Sequence, residues 1–255
     1  MIGLIDSGIG GLSTYHSLTR HYPTADILYL ADQAHLPYGN KSPKALLAYL
    51  ENALDWMAVQ NADIVLVACG TLSSAALPHL RKIYPFPIYD IVSVGAKEAA
   101  LYTKTHQAIL LATEATIRSG FFEKALQKAG FDKVYTQACP QFVRLVEQGI
   151  CKPTHPHLKD ALKTYISGYV NASADVVLLG CTHYHFLLQT IGAYLPCCRI
   201  IDCGVVLANS CPPPTIFGGV HRFFTTGHLP TFAKQLKQHL STPPQYVAKA
   251  TLPSL

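Results

Sequence analysis

Short runs of Val, Ile, Leu and Ala alternate along this chain with longer stretches in which apolar residues recur at helical spacing. Runs that are apolar at nearly every position are typical of strands buried on both faces of a parallel sheet. The longer stretches predict helices over Pro43–Gln60, Ser119–Ala129 and His157–Asn171. The alternation of the two patterns predicts an α/β fold. The predicted strands are Ile2–Ile5, Ile27–Ala31, Ile64–Ala68, Ala108–Ala112, Val176–Gly180 and Arg199–Asp202.

An internal repeat indicates that the chain is built from two similar halves. Ala62–Cys69 matches Ala174–Cys181, and each segment ends a predicted strand in a cysteine that is followed by turn-type residues. A weaker match relates Gly3–Asp6 to Ala108–Leu111. Repeats of this kind predict repeated structural units. We therefore expect two similar, pseudo-duplicated α/β domains with largely parallel sheets and an active site in the cleft between them.

The expected first domain comprises residues 1–94 plus 208–255, and the second comprises residues 95–207. The tail from Ser210 to Leu255 is rich in Pro and Gly and has one amphipathic stretch, around Thr231–Leu240.

Composition excludes several classes of protein. Of 255 residues, 49% are hydrophobic and 14% are charged, which excludes a disordered chain. The formal charge of +5 comes from scattered Lys and Arg, so we expect no nucleic-acid partner. No apolar stretch approaches the ~20 residues of a membrane span. The start of the chain lacks a basic region before its apolar run, so we expect no signal peptide and a cytoplasmic location.

The two repeat-related cysteines, Cys69 and Cys181, are the first candidates for chemistry. A cysteine after a buried strand is commonly a small core residue. We assign that interpretation to the six others, because they lack the repeat context. Eight cysteines are too few for a disulfide scaffold in a chain of this length, and we expect them to be free thiols. The six others are Cys139, Cys151, Cys197, Cys198, Cys203 and Cys211.

Two other chemistries compete for the cysteine pair. Cys181, His183 and His185 alternate along the chain and could share one face as metal ligands. However, neither a CxxC nor an HExxH motif is present, so we expect no metal. A redox pair is a further alternative, but strand-end thiols in separate halves need not come within bonding distance.

Acid–base catalysis is the chemistry that the pair favours. A thiol of ordinary pKa near ~8.5 can act as a base when ionised and as an acid when protonated. Inversion at a carbon atom without a cofactor needs a base on one face and an acid on the other, which two opposed thiols would supply. Asp6, at the end of the first strand, is the expected partner of Cys69, and His183 is the expected partner of Cys181. Both partners could instead be turn or capping residues.

Two loops and two threonines suit a small anionic substrate. Ser7–Leu12 is glycine-rich and opens a helix, so its N–H groups could bind a carboxylate, although a tight turn would also need glycine. Ser13 stands where a dinucleotide fingerprint needs Gly. Pro37-Tyr38-Gly39 is a turn that would bind substrate if it lines the cleft. Thr71 and Thr182 are natural hydroxyl donors.

On its motifs the chain resembles the glutamate racemases, within the aspartate/glutamate racemase superfamily. The matching segments occur in the family's order along nearly the whole chain, and together they are highly specific. They are Ile5–Leu12, Leu36–Ser42, Ala68–Thr71, Ala138–Pro140, Glu147–Gly149, Gly180–Tyr184 and Phe223–Gly227.

The resemblance implies interconversion of L- and D-glutamate for peptidoglycan synthesis, without pyridoxal phosphate or metal. It implies that Cys69 and Cys181 carry the proton, assisted by Asp6 and His183, with Glu147 as a further catalytic residue. A homodimer is an expectation of the same kind. The residues implied to contact the small-molecule substrate are Asp6, Ser7, Pro37, Tyr38, Gly39, Gly70, Thr71, Thr113, Thr116, Thr182 and His183.

Two departures from the family pattern concern the substrate. Gly70 stands where the family usually has Asn, which we expect to leave extra room and to remove an amide contact. His185 stands where Pro is usual. The alternatives to glutamate racemase activity are therefore a racemase for another amino acid, favoured by room at Gly70, and a binding protein that has lost turnover.

Overall fold

Two parallel β-sheets form the framework of the protein. The structure is a computed structural model, and it describes residues 1–75, 77–80, 83–214 and 218–252. Within these residues, six strands form one sheet in the order β10-β9-β2-β1-β3-β4, and four form the other in the order β6-β5-β7-β8. The strands are β1 (Ile2–Asp6), β2 (Ile27–Ala31), β3 (Ile64–Val67), β4 (Ile88–Asp90), β5 (Gln107–Ala112), β6 (Lys133–Ala138), β7 (Val176–Leu179), β8 (Arg199–Asp202), β9 (His221–Thr225) and β10 (Tyr246–Lys249).

The helices connect the strands and cover both faces of each sheet. Every strand pair is parallel, which requires crossover connections of this kind. The helices are α1 (Leu12–His21), α2 (Pro43–Val59), α3 (Gly70–Ala75), α4 (Leu77–Leu80), α5 (Ile91–Tyr102), α6 (Glu114–Ser119), α7 (Phe121–Lys128), α8 (Pro140–Glu147), α9 (Pro156–Ile166), α10 (Leu188–Tyr194), α11 (Cys203–Asn209) and α12 (Leu229–His239).

The sheet order explains the sequence repeat. In the first sheet β1 pairs with β2 on one side and β3 on the other, and in the second sheet β5 pairs in the same way with β6 and β7. β3 and β7 thus hold equivalent positions, and each continues towards one of the repeated cysteines. The predicted α/β fold with two similar parallel sheets is confirmed.

Buried apolar side chains form three clusters that the sheets separate. The central cluster joins residues of both sheets, such as Leu4 and Leu178, with residues of α1, α5, α7 and α11. The second cluster packs α2 on the other face of the first sheet, and the third packs α8 and α9 on the other face of the second. The shared central core holds the two sheets together, so that their strand ends can form one site.

Several predicted element boundaries are wrong for identifiable reasons. The helix predicted over Ser119–Ala129 begins two residues later, as α7, because α6 ends at Ser119 and Gly120 adopts a left-handed φ of 63° between the two helices. The helix predicted over His157–Asn171 ends at Ile166 and continues only as a 3-10 turn, Ser167–Tyr169. The tail contains two strands, β9 and β10, in addition to a helix.

The division into residues 1–94 plus 208–255 and residues 95–207 stays a prediction. The strands separate into two sheets along it, but both boundaries fall inside helices, α5 and α11. Across the described ranges of the chain, no helix has the length and apolar character needed to cross a bilayer.

Candidate active site

Cys69 and Cys181 lie on the wall of the same cavity. β3 continues through Ala68 into Cys69, and β7 continues through Gly180 into Cys181. The cavity has a volume of about 830 Å³, and both side chains are nearly buried, at 5% and 7% exposure. The carboxyl ends of parallel strands are where α/β sheets bind ligands. The fold thus brings together the two thiols that lie 112 residues apart in the repeat.

Most of the residues expected to contact substrate also line this cavity. Asp6 and Thr116 are the exceptions among them, and both lie buried behind the wall. The lining residues are Ser7, Leu36, Pro37, Tyr38, Gly39, Asn40, Cys69, Gly70, Thr71, Thr113, Glu114, Pro140, Gln141, Val143, Arg144, Glu147, Gln148, Tyr165, Cys181, Thr182 and His183.

Cys181 is the end of a hydrogen-bonded relay through His183 to Glu147. The Cys181 Sγ lies 3.8 Å from His183 Nδ1, and His183 Nε2 lies 2.7 Å from Glu147 Oε1. Burial alone would lower the pKa of His183, but its hydrogen bonds to Cys181 and Glu147 outweigh burial and raise the pKa well above its ordinary value. Burial by itself would raise the pKa of Glu147, yet the bond from His183 lowers it. The relay therefore favours an imidazolium between a carboxylate and a sulfur atom.

Cys69 has a different electrostatic environment. Burial, and then the charge of the nearby Asp6, raises the pKa of its thiol, although the N–H groups of Leu72 and Thr71 act in the opposite direction. These N–H groups belong to the first turn of α3, which Cys69 precedes. Cys69 is therefore held as a neutral thiol, whereas Cys181 adjoins a cation.

Asp6 is placed differently from the expectation that it would assist Cys69 directly from the cavity wall. It is fully buried, and its Oδ2 accepts from the N–H groups of Gly8 and Gly11 at 3.1 and 3.0 Å. Its Oδ1 accepts from the Thr182 hydroxyl at 3.1 Å. Burial raises the pKa of Asp6, although the charge of His183 lowers it. Asp6 thus ties the first half of the chain to the second, and its charge acts on the Cys69 thiol from behind the cavity wall.

The glycine-rich loop packs closely against the second half of the chain. Its expected free N–H groups are partly engaged, because Asp6 accepts from Gly8 and Gly11. A Cβ atom on Gly10 would stand 2.4 Å from the Thr182 hydroxyl oxygen, and one on Gly8 would stand 2.8 Å from Glu147 Oε1. Glycine is therefore required at Gly10, where the backbone nitrogen of His183 would also stand 2.9 Å away, whereas the obstacle at Gly8 is the flexible end of the Glu147 side chain.

Three threonines connect the two halves at the cavity. The Thr71 hydroxyl lies 2.9 Å from that of Thr113, which lies 2.9 Å from that of Thr116. Thr113 also caps α6 by accepting from the Thr116 N–H. Thr71 and Thr113 line the cavity, and Thr116 supports them from behind.

The turn Pro37-Tyr38-Gly39 lines the cavity, as the substrate-binding interpretation requires. Tyr38 is 3% exposed, and its hydroxyl donates to Asp32. Asp32 also accepts from Thr226 at 2.6 Å, so this network anchors the turn to the segment that follows β9.

Gly70 leaves no extra room, contrary to the expectation from the sequence. A Cβ atom at this position would stand 1.9 Å from the backbone oxygen of Gly180 and 3.2 Å from Ile91 Cδ1. The segments that follow β3 and β7 approach so closely that a side chain would displace the backbone. The argument for a substrate other than glutamate therefore loses its basis at this position.

His185 does not join Cys181 and His183 in one site. Its Nδ1 lies 2.5 Å from Asp202 Oδ2, whereas His183 is engaged by Cys181 and Glu147. Throughout the described parts of the chain, no group of three or more His, Cys, Asp or Glu residues is arranged to hold a metal ion. All eight cysteines are free.

Sequence reasoning missed the polar residues that surround Glu147. Gln141 and Arg144 line the cavity from α8, which also carries Glu147. Their spacing of three residues, from 141 to 144 to 147, was a detectable signal, because such positions share one face of a helix. No comparable signal marks Gln235 of α12, whose side-chain N–H donates to Glu147 Oε2 at 3.1 Å.

Comparisons with known proteins identify the family of the chain. The sequence model of Asp/Glu/hydantoin racemases matches residues 2–211. A glutamate racemase of Aquifex aeolicus is 36% identical over 209 residues, which cover 82% of this chain and 81% of the relative. The crystal structure of a glutamate racemase isoform of Bacillus anthracis has a TM-score of 0.90 at 27% identity, covering 100% of this chain and 98% of that one.

A glutamate racemase of Francisella tularensis, crystallised in complex with D-glutamate, has a TM-score of 0.89 at 25% identity. The match covers 98% of this chain and 97% of that one. The resemblance drawn from the motifs is thereby confirmed, and the chain belongs to the Asp/Glu/hydantoin racemase family of isomerases.

Proposed function

We propose that this protein is a glutamate racemase that inverts the α-carbon by proton transfer between Cys181 and Cys69. The observation that carries the proposal is the placement of both thiols on one cavity in different electrostatic environments. The relatives named above are glutamate racemases, one of them crystallised with D-glutamate, which supports the choice of substrate.

In the resting state of the proposed mechanism, each thiol has a different role. Protonated His183 donates one N–H towards the Cys181 sulfur and the other to Glu147, and it is the counterion of Cys181 whenever that sulfur is ionised. Cys69 keeps its proton, because burial and the charge of Asp6 raise its pKa. In this state Cys181 is the base and Cys69 is the acid.

Each turnover moves two protons and conserves charge. The Cys181 thiolate removes the α-proton, and the Cys69 thiol delivers its proton to the opposite face of the resulting carbanion. The product leaves with inverted configuration, while Cys181 is now a thiol and Cys69 a thiolate. That state is the starting point for the other enantiomer, and proton exchange with solvent restores the first. The chain's own groups suffice, in keeping with the resemblance, which implies neither pyridoxal phosphate nor metal.

Besides protonated His183, the cavity wall offers hydroxyl groups and one arginine to an amino acid with two carboxylates. Ser7, Thr71, Thr113 and Thr182 supply hydroxyls that can donate to an oxyanion. Among the lining residues, Arg144 is the one Lys or Arg side chain. We infer that it attracts the anionic substrate and favours glutamate over neutral amino acids.

Three wider expectations belong to the same proposal. The D-glutamate produced would supply peptidoglycan synthesis, the enzyme would act in the cytoplasm, and it would assemble as a homodimer. Each comes from the resemblance or the composition and stays a prediction.

Deuterium exchange tests the proposal directly. The protein is incubated in D₂O with L-glutamate and, separately, with D-glutamate, without added cofactor, and NMR and chiral chromatography follow the α-carbon. We expect deuterium incorporation and interconversion in both directions. Exchange with another amino acid but not with glutamate would contradict the substrate, and no exchange with any amino acid would contradict racemase activity altogether.

A matched cysteine variant serves as the control. Cys203 also follows a strand directly and is buried, but it does not line the cavity. We expect Cys203→Ala to retain exchange and Cys69→Ala or Cys181→Ala to lose racemisation. Loss of activity in Cys203→Ala with the fold intact would show that the assay does not isolate the two proposed thiols.

A further inference from the structure

A second cavity, separate from the active site, brings together one arginine and three histidines. It has a volume of about 270 Å³ and shares no lining residue with the larger cavity. One wall is a single face of α1, formed by residues at helical spacing. The lining residues are Ser13, His16, Ser17 and Arg20 of α1, with His185, Val205, His239 and Ser241. We name this cavity the histidine pocket.

The histidine pocket has no acidic side chain among its lining residues. Arg20 and three histidines face a space without Asp or Glu. The carboxylate of Asp202, which contacts His185, is also engaged by the N–H groups of Gly204 and Val205. Burial lowers the pKa of His239, although the charge of Glu147 opposes this. Burial, and then the charges of Arg20, His185 and His239, lowers the pKa of His16, although its bond to the His239 carbonyl opposes this. A bound anion would relieve the mutual repulsion of these groups.

The hydrogen bonds already formed determine which groups can receive an anion. His16 Nε2 donates to the His239 carbonyl oxygen at 3.0 Å, and His185 Nδ1 donates to Asp202. The second nitrogen of the His16 ring can donate to an anion only when that ring is protonated, which its lowered pKa opposes. Ser13 and Ser17 donate elsewhere, to Gly10 and Asn209. Binding of an anion should consequently be accompanied by uptake of protons.

We propose that the histidine pocket is a binding site for a phosphate-type oxyanion. A tetrahedral anion with several oxygens can contact Arg20 and more than one protonated histidine at once, and the cavity is large enough to admit a phosphate group. The site adjoins the catalytic relay along the chain, because the 3-10 turn Thr182–Leu187 carries both His183 and His185. α12 likewise carries Gln235, which holds Glu147, and His239.

Sulfate is the probe for the first measurement, because its charge does not change across the working pH range. Isothermal titration calorimetry with the intact protein should show sulfate binding about tenfold tighter near pH 5.5 than near pH 7.5, with net proton uptake in buffers of different ionisation enthalpy. Arg20→Gln should weaken binding about tenfold near pH 5.5. His21→Gln is the matched control, since His21 is the next residue of α1 and lies outside the pocket.

Further ligands and variants decide the outcome. Inorganic phosphate and a small phosphomonoester, glycerol 3-phosphate, distinguish a free phosphate ligand from a phosphate ester. Tighter binding of inorganic phosphate would identify the free anion as the ligand, and tighter binding of glycerol 3-phosphate would identify an ester. His16→Gln should reduce the proton uptake that accompanies sulfate binding. Sulfate affinity that is unchanged in Arg20→Gln, reduced equally in His21→Gln, or independent of pH would overturn the proposal. None of these measurements depends on racemase activity.

Discussion

Because Gly70 and Gly180 approach each other closely, adding one methyl group at position 70 tests whether the geometry of the site depends on this contact. In Gly70→Ala the new Cβ atom would stand 1.9 Å from the Gly180 carbonyl oxygen. Real Cβ atoms essentially never approach another heavy atom within 3.0 Å, so the two segments must separate by more than about 1 Å. The obstacle is backbone and cannot rotate away. Because Cys69 and Cys181 are the neighbours of these glycines, the separation would change the distance between the thiols.

Two magnitudes follow from this displacement. Overpacking in a well-packed interior typically costs about 1–3 kcal/mol of unfolding free energy. For a chain of this size, each kcal/mol corresponds to roughly 2–4 °C in Tm. A misplacement of reacting groups by about 1 Å can reduce the rate about 100-fold. We therefore expect kcat to fall about 100-fold in a protein that still folds.

The assay compares Gly70→Ala with Gly168→Ala by glutamate racemisation, deuterium exchange and thermal unfolding. Gly168 is the matched control, because a Cβ atom there would meet nothing within 4 Å. Gly168→Ala should retain its kcat and its Tm. Gly70→Asn, which restores the usual residue of the family, should be at least as damaged as Gly70→Ala. A folded Gly70→Ala protein with wild-type kcat would refute the reasoning, because it would show that the strand ends part without disturbing the thiols.

Three further predictions concern the catalytic groups. Cys69→Ala and Cys181→Ala should each lower racemisation by roughly 1000-fold in chiral chromatography, since each removes an acid–base group, and full activity in either would exclude two-thiol transfer. Glu147→Gln should lower kcat about tenfold and move the alkaline limb of the pH–rate profile to lower pH, because the carboxylate helps to raise the pKa of His183. Arg144→Gln should raise KM for glutamate about tenfold with little change in kcat, and an unchanged KM across salt concentrations would contradict its role in attracting substrate.

The same histidine gives a stability prediction with a defined sign. The folded-state pKa of His183 is raised above its ordinary value of 6.5, so the folded protein binds the proton more tightly than the unfolded chain does. The stability contribution is therefore complete below about pH 6.5 and is lost as pH rises through the folded-state pKa. Thermal unfolding measured at increasing pH above about 6.5 should show a decline in Tm, and the decline should be smaller in Glu147→Gln than in the wild-type protein. An equal decline in both proteins would mean that another group is responsible.

The central strands were predictable because burial imposes a simple pattern on them. β1, β2, β5 and β7 are covered on both faces, and nearly every residue in them is apolar and inaccessible. The strands that the sequence did not reveal are short or partly exposed. β4 has three residues, and β6 and β10 lie at sheet edges with polar residues among the apolar ones. A half-exposed edge strand lacks the continuous apolar run by which the others were recognised.

The site was predictable as far as it depends on repetition and motif. The repeat predicted that Cys69 and Cys181 hold equivalent strand ends, and the motif Gly180–Tyr184 predicted His183 beside Cys181. The contact of Gln235 with Glu147 was not predictable, because it joins α12 to α8 across 88 residues without a local signature. The true role of Gly70 was also hidden, since its constraint comes from a backbone atom of the other half of the chain.

The sequence alone therefore determined the α/β class, the duplication of the sheets and the equivalent strand-end positions of Cys69 and Cys181. These properties depend on local hydrophobic patterning and on residue type, which any single chain displays directly. Tertiary structure decided that Asp6 accepts hydrogen bonds from Thr182 and the glycine loop, and that Gly70 is a point of contact between the halves. It also gave Cys69 and Cys181 different electrostatic surroundings. Such properties depend on burial and on distances between remote segments, which exist only once the two sheets have packed around their common core.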